Sequence, residues 1–194
     1  VVQRIVATGF NDEIFNLHNC DFTLENSTFS NNVGGVIEMS ACATSLSNVQ
    51  FLNNSNTIAG GALYVTGGVT EINQATFLDN SSSHDTQGGG AINLHGNTLI
   101  SITNSTFHGN TAFRGGAIRA KDDNSGLIYQ TTFSENSTSN HGGAIYFSGS
   151  AAGQWAFSNV TFDSNHAESL GGVVATGTSN SVTIDTVFKN VTAT

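Results

Sequence analysis

The sequence contains no proline, only two cysteines and only five lysine or arginine residues among 194. Each scarcity excludes something. Two cysteines are too few for a disulfide scaffold, and no Cys/His spacing matches a zinc site, so no metal or other cofactor is expected. Five basic residues against fourteen acidic ones leave a net charge of −9, which argues against a nucleic-acid partner and against anionic membrane surfaces. An apolar run of about 18 residues, the minimum for a spanning helix, is absent, so membrane insertion is not expected. The opening V-V-Q-R-I-V-A lacks the layout of a signal peptide, and a chain beginning at Val1 is expected to be a processed product or a fragment. Charged residues are 10%, well below the roughly 25% of ordinary soluble domains, which points to a surface of hydroxyls and amides. Proline fits central strands poorly, and its absence agrees with a chain built of them.

What the chain has in abundance is repetition. Phe29, Phe51, Phe77, Phe107, Phe133, Phe162 and Phe188 recur at spacings of 22, 26, 30, 26, 29 and 26 residues, placing seven of thirteen phenylalanines in one register. Asparagine follows three residues after six of them, at Asn32, Asn54, Asn80, Asn110, Asn136 and Asn165. A glycine pair and two apolar residues come next, as in Gly115-Gly116-Ala117-Ile118 and Gly142-Gly143-Ala144-Ile145. A unit of this length repeated along nearly the whole sequence specifies a solenoid.

Side-chain parity within one unit gives its shape. Successive residues of a strand point to opposite faces, so each Phe and the small residue two before it (Ser27, Val49, Ala75, Ser105, Thr131, Val160, Thr186) face inward. The apolar residue five before (Leu24, Leu46, Ile72, Ile102, Ile128, Phe157) breaks that parity, which requires a bend near position −4. A second break separates Phe from Asn, and a third bend is expected at the glycine pair, followed by another strand such as Ile92-Asn93-Leu94. Three short strands per unit make one coil of an all-β, right-handed parallel β-helix of about six to seven coils. The phenylalanines are expected to stack as an internal column, and the asparagines to form a second ladder that satisfies backbone groups at a turn. A β-sandwich gives no reason for six glycine pairs in phase. Residues 1–194 are expected to form one domain, with 1–23 a degenerate first coil or edge, 24–188 the repeats and 189–194 a terminal edge.

The pairing of F-x-x-N with G-G-A-[ILV], in six copies between Leu24 and Phe188, resembles the repeats of the chlamydial polymorphic outer membrane protein family. That resemblance implies a surface-exposed or secreted β-helical passenger acting in adhesion, with no catalytic residues to carry over. The last repeat departs from the pattern, since no glycine pair follows Phe188, and no autotransporter barrel is present. An autotransporter-type adhesin passenger fragment therefore remains one alternative.

Enzymes that cut polysaccharides also use β-helices, and they form the other alternative. Arg119-x-Lys121-Asp122-Asp123 is similar to elements of polygalacturonase-like enzymes, but there the elements lie on different coils beside a G-H-G element that this sequence lacks. A solvated loop is the expected state of this stretch. Arg114 adds a third basic residue nearby. His18, His84, His95, His108, His141 and His166 form no metal-ligand pattern, and His84-Asp85 has no nucleophile at a motif spacing. The outward column Thr28, Thr76, Thr106, Thr132 and Thr161 is interrupted by Gln50 and Val187, so β-propensity explains it better than ice binding.

Seven N-x-[ST] sequons occur, where 23 Asn and 45 Ser plus Thr would give about five by chance. Glycosylation is expected at Asn26, Asn53, Asn104, Asn159 and Asn190, and less at Asn80 and Asn136, which belong to the asparagine ladder. Cys20 and Cys42 each lie nine residues before a ladder phenylalanine, hence in the same slot of adjacent coils. A rise of about 4.8 Å per coil falls within the range a disulfide spans. The two chain ends carry strand-like segments without a capping helix, so end-to-end self-association into a filament is expected. The expected function is that of an extracellular or cell-surface, non-enzymatic structural or adhesive protein with a cell-surface or glycan ligand.

Overall fold

The computed structural model describes residues 1–84, 88–149 and 153–177 in full, and the backbone alone of 181–189 and 192–193. It is all β without a helix, a solenoid of about six turns in which every strand pairs parallel with the equivalent strand of the next coil. Each Phe of the ladder lies opposite the next in register, from Phe29 and Phe51 through to Phe162 and Phe188.

A coil contains four strands, one more than sequence parity implies. The coil beginning at Ile118 runs through Ile118–Lys121, Ser125–Tyr129, Thr132–Ser134 and Ser137–His141. The first three join the large sheet that wraps the solenoid, and the fourth joins a separate sheet of six short strands between the asparagine and the glycine pair. That fourth strand is polar and short, for example Ser55–Asn56 and Ser81–Ser82, so it lacks the apolar alternation that marks the others.

Two left-handed residues bracket the Phe strand. At position −3, Asn26, Asn48, Gln74, Asn104, Gln130 and Asn159 have φ between 48° and 55°, one residue later than the bend expected near −4. At +2, Asn31, Asn53, Asp79, Gly109, Glu135 and Ser164 have φ between 53° and 65°. Asparagine tolerates this region better than most residues, which explains its frequency at both corners. At the −2 position a hydroxyl closes the first corner: Ser105 Oγ donates to Thr103 O and accepts from Ala75 N across the coil boundary.

The core holds two columns. The phenylalanine rings from Phe29 to Phe162 stack with centroids 4.5 to 5.6 Å apart and planes within 17° of parallel. Beside them the buried asparagines bond along the axis. Asn80 Nδ2 donates to Asn110 Oδ1 at 3.0 Å and to Phe51 O at 2.9 Å, while its Oδ1 accepts from Asn54 N and Asn54 Nδ2. Asn54, Asn110 and Asn136 repeat this four-bond pattern, so each amide is fully satisfied although it is sealed from water. At the glycine pair, a Cβ on Gly90 or Gly116 would collide with the carbonyl oxygen of the next coil's glycine. Close approach of successive backbones therefore fixes the second glycine.

Residues 1–18 run as a further turn with the slots altered. Val6–Thr8 pairs with the Phe29 strand so that Ala7 stands where the other coils carry Phe. Arg4 takes the left-handed corner, and Phe10 replaces the asparagine, its N–H donating to Asn32 Oδ1.

Replacing Phe107 by Ala should cost about 3–5 kcal/mol, and Asn110→Ala about 1–3 kcal/mol because it orphans buried partners. Thr106→Ala, exposed next to Phe107, should stay within about 0.5 kcal/mol. Urea unfolding of the three variants checks this ordering; equal losses would contradict the assigned faces.

Candidate functional site

The recurring Phe, Asn and glycine residues all lie inside, so whatever the protein binds must meet the outer columns. One of these is not polar. Ala43, Val69, Leu99, Ser125 and Gln154 are equivalent residues of successive coils, as are Ser45, Glu71, Ser101, Leu127 and Ala156. Val69, Leu99 and Leu127 stand 45%, 53% and 43% exposed on this face. They line a shallow groove of about 660 Å³ with Ser101, Ser125 and Gln154 as polar rim. Gly126 shapes its floor, because its Cβ would strike the Trp155 ring, which packs over it and donates from Nε1 to Asn124 O. An aliphatic stripe fringed by hydroxyls, an amide and the Glu71 carboxylate can hold an extended ligand by contact.

The stretch Arg119 to Asp123 does not converge on one site. Arg119 is no solvated loop residue: it sits on the strand Ile118–Lys121, only 3% exposed, with Nη1 donating to Asn93 Oδ1 at 3.3 Å. Lys121 Nζ lies 3.2 Å from His95 Nε2, and Asp122 Oδ2 is 3.5 Å from the same ring nitrogen. Asp122 occupies a left-handed corner, and Asp123 is exposed beyond it. The loop reading fails for Arg119 because the outward face of its strand lies in a corner between the two sheets, where neighbouring side chains cover it.

Among the remaining histidines, His108 Nδ1 bonds to Ser134 Oγ at 2.9 Å and its Nε2 lies 3.9 Å from Glu135. Among the described residues no three His, Cys, Asp or Glu side chains gather as metal ligands. Asp85, named with His84 in the sequence, lies outside the described residues.

Cys20 and Cys42 do share a slot in adjacent coils, with Ala43 N donating to Cys20 O, and both are free thiols here. The Cys20 thiol is pushed up to about 11, first by its hydrogen bond with Cys42 and then by burial. The sequon asparagines divide by position. Asn26, Asn53, Asn104 and Asn159 are exposed at left-handed corners, whereas Asn80 and Asn136 are buried with both amide protons committed to the ladder. Asn190 lies outside the described residues. At the first turn, Val1, Val6 and Phe10 are 87%, 79% and 52% exposed.

Sequence reasoning missed the apolar groove and the environment of Arg119. The groove was visible only as Val69, Leu99 and Leu127 at outward parity, a signal weak in any one coil.

No solved structure matches the chain. Metabotropic glutamate receptor-like protein R of Dictyostelium discoideum is 29% identical over 162 residues, covering 80% of this chain but only 10% of that much longer protein. The Chlamydia polymorphic membrane protein repeat model matches residues 130–148, which span Phe133, Asn136 and Gly142-Gly143-Ala144-Ile145. The matched stretch is part of one coil, running from the left-handed corner at Gln130 through the ladder residues to the strand after the glycine turn.

Proposed function

We propose that this chain is the rod of an extracellular or cell-surface adhesive protein, a non-enzymatic β-helix whose outer columns hold a glycan or another surface ligand. The observation that carries this reading is the division of labour in the repeat. The recurring Phe, Asn and second glycine are consumed in building the coil, and the columns on the groove face and after the glycine turn differ from coil to coil, as a binding rod requires. The membrane-protein repeat at residues 130–148 and the receptor-like relative both fit a surface location. Beads coated with the protein should adhere to cell or glycan surfaces, and the Leu99→Asp, Leu127→Asp double variant should adhere about tenfold less. Coated beads that adhere to nothing would sink the adhesive reading, and unchanged adhesion of the variant would remove the groove from it.

In an oxidising compartment the paired thiols are proposed to close a disulfide, and Asn26, Asn53, Asn104 and Asn159 to carry glycans where the host glycosylates sequons. Closure releases two protons and two electrons to a thiol oxidant of that compartment, such as an exchangeable disulfide, and the raised Cys20 value slows it because less of the thiol is thiolate. Intact mass spectrometry of secreted protein, alkylated without reduction, should show neither cysteine labelled. Two labelled cysteines would refute the bridge.

Val1, Val6 and Phe10 are exposed on the first turn, and the partner proposed for them is the last coil of a second copy. Such a contact does not close on itself and extends into a filament. Electron microscopy at rising protein concentration should show lengthening rods, shortened by Val6→Lys, Phe10→Lys. Single short particles throughout would defeat this.

A further inference from the structure

Two of the five basic residues lie together, and among the described residues no carboxylate is within ion-pair distance of either, although the more distant Asp122 still acts on Arg119. Arg119 belongs to the outer column Glu38, Tyr64, Asn93, Arg119, Tyr146 and Ala175, which follows the glycine turn of each coil. Its guanidinium is buried between Asn93 and Tyr146, and its Nε has no hydrogen-bond partner. Across the glycine corner, Arg114 ends the strand Thr111–Arg114 and pairs in register with His141. Arg114 Cζ stands 5.3 Å from the Phe113 ring and 5.5 Å from the Tyr146 ring, and its buried Nε is likewise unpartnered. His141 completes the group, with its ring centroid 5.8 Å from that of Tyr146 and its buried Nδ1 unpartnered.

Among the described residues the ion pairs are His95 with Asp122 and His108 with Glu135, and neither includes an arginine. Burying a guanidinium without a carboxylate is costly, more so beside a second one. Burial and then the charge of Arg114 lower the Arg119 pKa, and the same two causes lower that of His141, so the cluster sits in a positive, poorly solvated corner. Acidic side chains are abundant in this chain of net charge −9, yet none of the described ones pairs with either arginine.

The geometry points to a recognition site for the carboxylate of an acidic sugar at the corner of Arg114, Arg119, His141 and Tyr146. A guanidinium offers a carboxylate parallel donors, and with the Nε of Arg114 and of Arg119 sealed beneath the surface without a protein acceptor, the contact to a ligand falls to the terminal nitrogens of the half-buried Arg114. Arg114 and His141 are half-buried and form the mouth, while Arg119 lies behind them and supplies field. From His141 and Tyr146 a cavity of about 300 Å³ continues past Leu170, Val174 and Thr176, room for a sugar ring beside the carboxylate. Tyr146, buried with Arg114 over its ring, forms the wall of that cavity and fixes the guanidinium beside it. The site specifies binding and includes no bond-breaking step. It rests on the adhesive reading and names the class of ligand.

Calorimetric titration with oligogalacturonate, its neutral methyl ester, sulfate and polyglutamate tests the assignment. Oligogalacturonate should bind, more weakly as salt rises, and the methyl ester should bind about tenfold or more weaker. Arg114→Gln, at the half-buried mouth, should reduce uronate binding by about the same factor with the unfolding midpoint kept. Arg119→Lys, which keeps the charge, should retain most of it if Arg119 acts through its field. Equal binding of acid and ester, or full binding by Arg114→Gln, overturns the site. Tighter binding of polyglutamate or of sulfate overturns the sugar carboxylate as its ligand. Bead adhesion measured on the same protein separates the two proposals: adhesion without uronate binding rejects this site alone, and loss of both rejects the adhesive reading.

Discussion

The structure depends on a buried amide whose partners all lie on the neighbouring coils, a copy of itself among them. Each ladder asparagine gives one Nδ2 proton to the next coil's Oδ1 and the other to the preceding coil's phenylalanine carbonyl, all in the dry interior. A side chain sealed from water has no fallback partner, so slipping one coil against another would orphan an entire row. This makes register expensive to change at one point of every coil. The phenylalanine stack three residues earlier adds contact energy but tolerates sliding; the amides do not. Together they explain how units of 22 to 30 residues build a regular object. Length differences do not enter the ladders, whose register holds at every step from Phe29 to Phe162.

Fixing the inside frees the outside. Because register is set by Phe, Asn and the glycine pair, an outer column can change chemistry at every rung without threatening the coil. The column after the glycine turn reads Glu38, Tyr64, Asn93, Arg119, Tyr146, Ala175, and the column on the groove face reads Ala43, Val69, Leu99, Ser125, Gln154. Neighbouring rungs lie about 4.8 Å apart, so side chains distant in sequence become adjacent at a spacing matched to extended polymers. Catalysis asks for something different, several titratable groups aimed at one point. The stretch from Arg119 to Asp123 fails that demand for a local reason: a left-handed corner at Asp122 separates the carboxylates from the arginine.

The inward residues were legible because repetition multiplies a weak parity signal by six. Leu24, Leu46, Ile72, Ile102, Ile128 and Phe157 are buried to within 1%, as are the ladder phenylalanines from Phe29 to Phe162. The fourth strand was not legible, since Ser137 to His141 and its equivalents carry no apolar alternation and are held by backbone pairing and polar side-chain bonds such as Thr138 Oγ1 to Phe113 O. The left-handed corners left a trace in the Asn, Gln and Asp residues at −3 and +2, but these same residues also mark ordinary loops. Arg119 exposes the limit of parity. Outward is a direction relative to one sheet, and at a corner between two sheets an outward side chain is enclosed by the other wall.

Rigidity gives that enclosure its consequence. On a surface loop, two arginines with no carboxylate between them would swing apart into water. Here Arg119 is anchored on a strand hydrogen-bonded to both neighbouring coils, and Arg114 on a strand of the second sheet whose start is tied to the asparagine ladder through Thr111 N and Asn80 O. The ladders that prevent slippage therefore also prevent the charges from retreating. A solenoid of this kind stores an unsatisfied electrostatic demand at a defined place, and a bound anion can relieve it without any backbone rearrangement. The interaction that builds the coil thus also holds the proposed uronate corner in place.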